Sequence, residues 1–203
     1  MGNGDRMKII GITGGIGTGK STLLNFLQNE YGAYSIEADK LAHELMLPGN
    51  MAYGQIVQTF GREILKNDYT IDREKLGNLV FQNEEKLELL NGIVHPAVKQ
   101  YILQDIDEQK NKGIAYYIIE AALLIEDGYK EICDELWYVY VKKEERINRL
   151  LRGRGGSREK WERVMKNQAS EEYYRMHCDV IIDNGKGLEE TAKIINELLC
   201  SNQ

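Results

Sequence analysis

The stretch Met7–Thr22, MKIIGITGGIGTGKST, is an apolar run that breaks into a glycine-rich turn and ends on a lysine and two hydroxyls. No other passage restricts the fold as tightly. Gly14, Gly19, Lys20 and Ser21 satisfy G-x-x-x-x-G-K-[ST], the spacing in which loop N–H groups wrap a phosphate chain at a helix N-terminus. Met7–Thr13 reads as a buried strand and Ser21–Asn29 as a helix, so the turn has the flanks this geometry needs. The glycines at 14, 15, 17 and 19 permit positive φ and a close backbone approach to an anion. Gly15, Ile16, Gly17, Thr18, Gly19, Lys20, Ser21 and Thr22 are therefore expected to hold ATP. Lys20 is expected on the β- and γ-phosphates, the Ser21 hydroxyl on Mg²⁺ and Thr22 near the α-phosphate.

Apolar runs predict four more strands, at 33–38, 114–122, 135–141 and 180–183. Between the second and third, residues 48–112 read as helix over 55–60, 73–81 and 84–109, the last interrupted where His95-Pro96 marks a restart. Asp72 and Asn83 read as helix caps. The expected fold is α/β: a P-loop, nucleoside-monophosphate-kinase-like three-layer α/β/α arrangement with a five-stranded parallel sheet. Its 203 residues, 42% of them hydrophobic, suit one domain over 7–203, with a helical acceptor-binding insertion over about 40–112 and a lid over about 150–168. Residues 1–6 read as a disordered leader.

Ligands collect outside the carboxyl ends of parallel strands, and Asp39 falls at that end of the second strand, where it either serves the ligand or caps a helix. Glu120, near the end of the third strand, reads either as a partner of Mg²⁺-bound water or as a solvent-facing edge residue, and Glu126 as a weaker ligand-holding candidate. His95 is a candidate acceptor contact, whereas His43 suits a helix flank and His177 a surface turn. Arg146, Arg149, Arg152, Arg154 and Arg158 surround Gly153, Gly155 and Gly156, which read as a mobile hinge. The helix dipole accounts for Arg146 and Arg158 as solvated cations, leaving Arg152 and Arg154 as the catalytic lid arginines that would grip phosphates. Asn184, in the turn after the last strand, is expected to meet the adenine through its backbone.

A formal net charge of −6 argues against a general nucleic-acid binder. Cys133, Cys178 and Cys200 show neither C-x-x-C nor His-rich spacing, so no disulfide framework or zinc site is expected. No apolar run reaches membrane-spanning length, and MGNGDR lacks the features of a signal peptide or a myristoylation site. The expected setting is cytoplasmic, with small-molecule partners and no nucleic acid, membrane or obligate protein partner.

From Met7 onward the ordered blocks IGITGGIGTGKST, SIEADKLAH, IDREKLGNLVF, LNGIVHPAV, EAALLIEDGY, NQASEEYYR and CDVIIDNG resemble those of the dephospho-CoA kinase family. The resemblance implies ATP-dependent phosphorylation of the ribose 3′-hydroxyl of dephospho-coenzyme A, the last step of coenzyme A synthesis. It aligns Asp39 with the family's proposed base. Three positions depart from the pattern: Glu37 stands where the family often has Asp, Ala122 replaces a proline common before the Leu pair, and Gly153-Arg154 occupy the place of a frequent Arg-Asp pair in the lid. Two alternatives use the same loop, namely another P-loop nucleoside, nucleotide or small-metabolite kinase, and an ATP-binding module that has lost catalysis.

Overall fold

The computed structural model describes residues 6–200. Of the expected leader, residues 1–5 lie outside the described residues, whereas the Arg6 guanidinium stands 2.9 Å from the Asp134 carboxylate. The chain runs β1 (Lys8–Thr13), α1 (Lys20–Tyr31), β2 (Tyr34–Glu37), α2 (Ala38–Leu45), α3 (Tyr53–Phe60), α4 (Arg73–Phe81), α5 (Glu84–Asn111), β3 (Tyr116–Glu120), β4 (Glu135–Tyr140), α6 (Lys143–Arg154), α7 (Arg158–Lys166), α8 (Glu171–His177), β5 (Val180–Asp183) and α9 (Leu188–Cys200). The five strands form one parallel sheet in the order β2-β3-β1-β4-β5, so β1 and the turn that follows it lie between β3 and β4. Backbone contacts divide the chain into two compact units, one holding the stretch up to Ser35 and that from Lys110 onward, the other Ile36–Gln109.

In the first unit, side chains alternate across the sheet with period two. Ile10, Ile12, Ile118, Trp137, Val139 and Ile182 form one cluster with Leu23 and Leu27 of α1 and Ile195 and Leu199 of α9. Gly11, between two of these positions, packs the other way, where a Cβ would meet Leu136, Leu124 and Cys133. On that second face the Tyr138 ring stacks on Tyr174 of α8, with centroids 4.7 Å apart. Helices thus cover both faces of the sheet, as its continuous apolar strands require. Each large side chain removed from water here contributes about 1.5–3 kcal/mol. The three cysteines are free thiols.

In the second unit, apolar residues recur at helical spacing. Ala38, Leu41 and Leu45 are buried on α2, Ile56 and Phe60 on α3, and Val94, Val98, Ile102 and Ile106 on α5. Asp72 accepts hydrogen bonds from the backbone N–H groups of Glu74 and Lys75, and Asn83 from that of Lys86, each capping the helix that follows. The expected interruption at His95-Pro96 does not occur, and α5 runs through Pro96 unbroken. Four residues before Pro96 stands Gly92, an exposed glycine with open space where a Cβ would be, and buried residues on both sides of the proline hold the helix together.

Candidate active site

The turn between β1 and α1 is shaped by what crowds it. Gly14, Gly17 and Gly19 take positive φ, but Gly15 does not. Gly15 is needed for space: a Cβ there would lie 2.1 Å from the Arg146 guanidinium. Gly19 carries both demands, since its φ of 89° is left-handed and a Cβ would meet the Asn184 amide at 2.5 Å. The loop is held from three sides. Within it, the buried Thr18 hydroxyl donates to the Gly15 carbonyl at 2.9 Å. From the turn after β5, the buried Asn184 amide donates to the Thr18 carbonyl at 2.7 Å, and its own oxygen accepts from the Thr191 hydroxyl at 2.8 Å. From α6 and the segment after α7, Arg146 Nε donates to the Ile16 carbonyl at 2.8 Å, while Gln168 Oε1 accepts from both Ile16 N–H at 3.0 Å and Arg146 Nη2 at 2.9 Å.

Lys20 opens α1, and its ammonium donates to the Gly14 carbonyl at 2.8 Å. Its Nζ also lies 3.3 Å from the Glu120 carboxylate. The sheet makes that pair, because Glu120 ends β3 in register with Ile12 of β1. Glu120 is buried, which overturns its reading as a solvent-facing edge residue. Ser21 and Thr22 are exposed on the first turn of α1. The Asn184 side chain is committed to the loop, and its backbone carbonyl accepts from Arg149 Nη2 at 2.9 Å.

The arginines are redistributed relative to expectation. Helix α6 continues to Arg154, making Arg152, Gly153 and Arg154 its last turn rather than part of a hinge. The positive φ values fall at Gly155 and Gly156. Burial of Ile147 and Leu150 holds α6 together strongly enough to carry one helical glycine, a cost of about 1 kcal/mol. Arg152 and Arg154 are exposed there, and the arginines that reach the loop and its supporting turn are Arg146 and Arg149. The helix-dipole reading fails for both Arg158 and Arg146: Arg158 is exposed but opens α7, the end where the dipole disfavours a cation, and it is held instead by Glu144 at 2.9 and 3.2 Å and by Glu162 at 3.5 Å. Burial pushes the Arg146 pKa down, and Tyr138 and Tyr174 oppose that shift. Its hydrogen bonds go to a carbonyl and an amide, so it brings the loop a positive charge not matched by a bonded carboxylate.

Arg146→Ala is expected to weaken ATP binding by about tenfold to a hundredfold, the worth of a charge-assisted hydrogen bond lost along with the ordering of Ile16. Isothermal titration reads it directly. An unchanged affinity would confine Arg146 to a role in the fold.

The remaining candidates belong to the second unit. Asp39 is exposed in the first turn of α2, whose N-cap position is Glu37, so Asp39 is not the cap. His95 is half-buried within α5. Of the other two histidines, His43 lies on α2 against Arg73, and His177 ends α8 with its ring on Tyr173 instead of lying in a turn.

The family model described as dephospho-CoA kinase matches residues 8–190. A dephospho-CoA kinase of Carboxydothermus hydrogenoformans is 42% identical over 194 residues, covering 95% of this chain and 93% of that protein. The solved dephospho-CoA kinase of Campylobacter jejuni superposes with a TM-score of 0.71 at 27% identity, covering 98% of this chain and all of that one (100%). The shikimate kinase of Acinetobacter baumannii shares the fold, with a TM-score of 0.53 at 15% identity and coverage of 98% of this chain and 96% of that one.

Proposed function

The chain belongs to the dephospho-CoA kinase family, and on that premise we propose that it transfers the γ-phosphoryl group of ATP to the ribose 3′-hydroxyl of dephospho-coenzyme A, leaving ADP and coenzyme A. The observation that carries the donor half is the loop itself. Gly14, Gly17 and Gly19 take positive φ, and the cations of Lys20 and Arg146 are already fixed on loop carbonyls. In this reading, triphosphate oxygens take over the Lys20 ammonium from Gly14 and Glu120. The loop N–H groups and Arg146 then stabilise the charge that spreads over the transferred group.

The residues fit a hard divalent cation. The exposed Ser21 hydroxyl and the Glu120 carboxylate are oxygen donors of the kind Mg²⁺ takes. Among the described residues no group of three or more His, Cys, Asp and Glu side chains forms a protein cage, which suits an ion held largely by phosphate and water. Held there, a divalent cation would supply positive charge to offset that of the phosphate oxygens. In the acceptor half, Asp39 is assigned the proton of the 3′-hydroxyl. Its support is an exposed carboxylate just beyond β2 that the cap of α2 does not use. The lid role of Arg152 and Arg154 stays with the glycine pair that follows them, and His95 with the acceptor-binding helices. A cytoplasmic setting agrees with the free thiols, and no described helix is long and apolar enough to cross a membrane.

ADP formation across an acceptor panel tests the assignment. Dephospho-coenzyme A is expected to exceed adenosine, AMP and shikimate by at least about a hundredfold in kcat/KM, since a site built around a substrate's polar groups rejects analogues that lack them. Turnover with a nucleotide but not with dephospho-coenzyme A would replace this reading. ATP binding with transfer to no acceptor would leave a non-catalytic module.

A further inference from the structure

Within the second unit, α2 and α4 meet through two side chains: Nη2 of Arg73 stands 2.5 Å from Nε2 of His43. Guanidinium groups cannot accept, so this contact requires His43 to present a bare Nε2 and hence to be neutral. Partial burial and the Arg73 charge both lower the His43 pKa, in keeping with that state. Two nearby cations pair with carboxylates instead. Lys40 and Lys75 lie 2.7 and 4.0 Å from the carboxylates of Glu37 and Asp72. Arg73 is instead oriented by a neutral ring, which fixes its direction without cancelling its charge. That is how a protein prepares a cation for an anion it does not itself supply.

The position of the pair says which anion. His43 is four residues after Asp39 on α2, so both side chains share one face, about 5–6 Å apart at Cβ. Arg73 reaches the same His43 ring from α4, so a carboxylate and a guanidinium both act on that ring, the pair of groups that a sugar hydroxyl and a 5′-phosphate of one nucleoside would need. We propose that Arg73, held in place by His43, binds the diphosphate bridge of the acceptor while Asp39 serves the hydroxyl one ribose away. This rests on the reading of dephospho-coenzyme A as acceptor. It adds a specificity determinant: Arg73 distinguishes a nucleoside bearing a 5′-diphosphate from a bare nucleoside.

Titration calorimetry on the full chain tests it with dephospho-coenzyme A, adenosine and ATP as probes. Arg73→Ala is expected to weaken dephospho-coenzyme A by tenfold or more, while adenosine and ATP change by less than twofold. Arg73→Lys is expected to recover part of the loss. His43→Gln keeps a carbonyl acceptor for Arg73 and is expected to stay within threefold of the parent, whereas His43→Ala is expected to weaken dephospho-coenzyme A severalfold. Equal losses for adenosine and dephospho-coenzyme A would make the pair a structural strap and overturn the proposal, as would an unchanged dephospho-coenzyme A affinity in Arg73→Ala. Arg73-dependent binding without turnover would overturn the kinase reading alone, and normal turnover with Arg73-independent binding would overturn this one alone.

Discussion

Lys20→Met is expected to lower kcat for phosphoryl transfer by about 10³-fold or more, the scale on which removing a fixed charge from a transition-state site acts. The lysine ammonium is held at the loop, 2.8 Å from the Gly14 carbonyl and 3.3 Å from Glu120, so its charge is already placed where the phosphates are proposed to bind. Methionine keeps the unbranched stem and its packing but brings no charge. The same substitution removes one partner of Glu120, a buried carboxylate, so a drop of a few degrees in Tm is expected as well. Lys20→Met combined with Glu120→Gln separates the two effects. The pair should regain most of the lost Tm, and its kcat should still lie about 10³-fold below that of Glu120→Gln alone. If activity returned along with Tm, the lysine would be acting through stability and not on the phosphates.

What local pattern could and could not reveal follows from where each contact partner lies in the chain. The loop was legible because its chemistry is contained in Gly14–Thr22, and the strands because buried parallel strands are continuous apolar runs. Arg146 and Gln168 were not, because their partner Ile16 is 130 and 152 residues away, and nothing near Arg146 sets it apart from a solvated helix cation. Gly153 and Pro96 misled for a common reason. Both are strong local breakers, and at both sites buried side chains on the same helix outweigh the local preference. Helix α8 went unread although its start was written in the chain: Ser170 caps it by accepting from the Tyr173 N–H, and Glu171 and Glu172 fill its first turn. Seven residues are too few for periodicity to register, and its main anchor is the distant stack of Tyr174 on Tyr138.

Asp39→Asn is the second large expected effect, a loss of about 10²- to 10⁴-fold in kcat with the Kd of ATP unchanged and that of dephospho-coenzyme A within threefold. Asparagine matches aspartate in size and can still hydrogen-bond a sugar hydroxyl, so it preserves orientation and removes only the capacity to take a proton. Near-normal turnover would therefore end the case for Asp39 as base, which a substitution by alanine could not do. A null rate alone could also come from a disturbed α2, and His43 supplies an independent check. The Asp39 charge raises the His43 pKa, against burial and Arg73, which lower it. Replacing that carboxylate by a neutral amide should move the His43 titration further down in pH, visible in its ring proton resonances without any turnover. A lost rate together with that shift is the signature of a helix still in place that has lost its base. A lost rate with His43 returned to the ordinary histidine range would mean that α2 and its contact with Arg73 had come apart, and the rate would then say nothing about proton transfer.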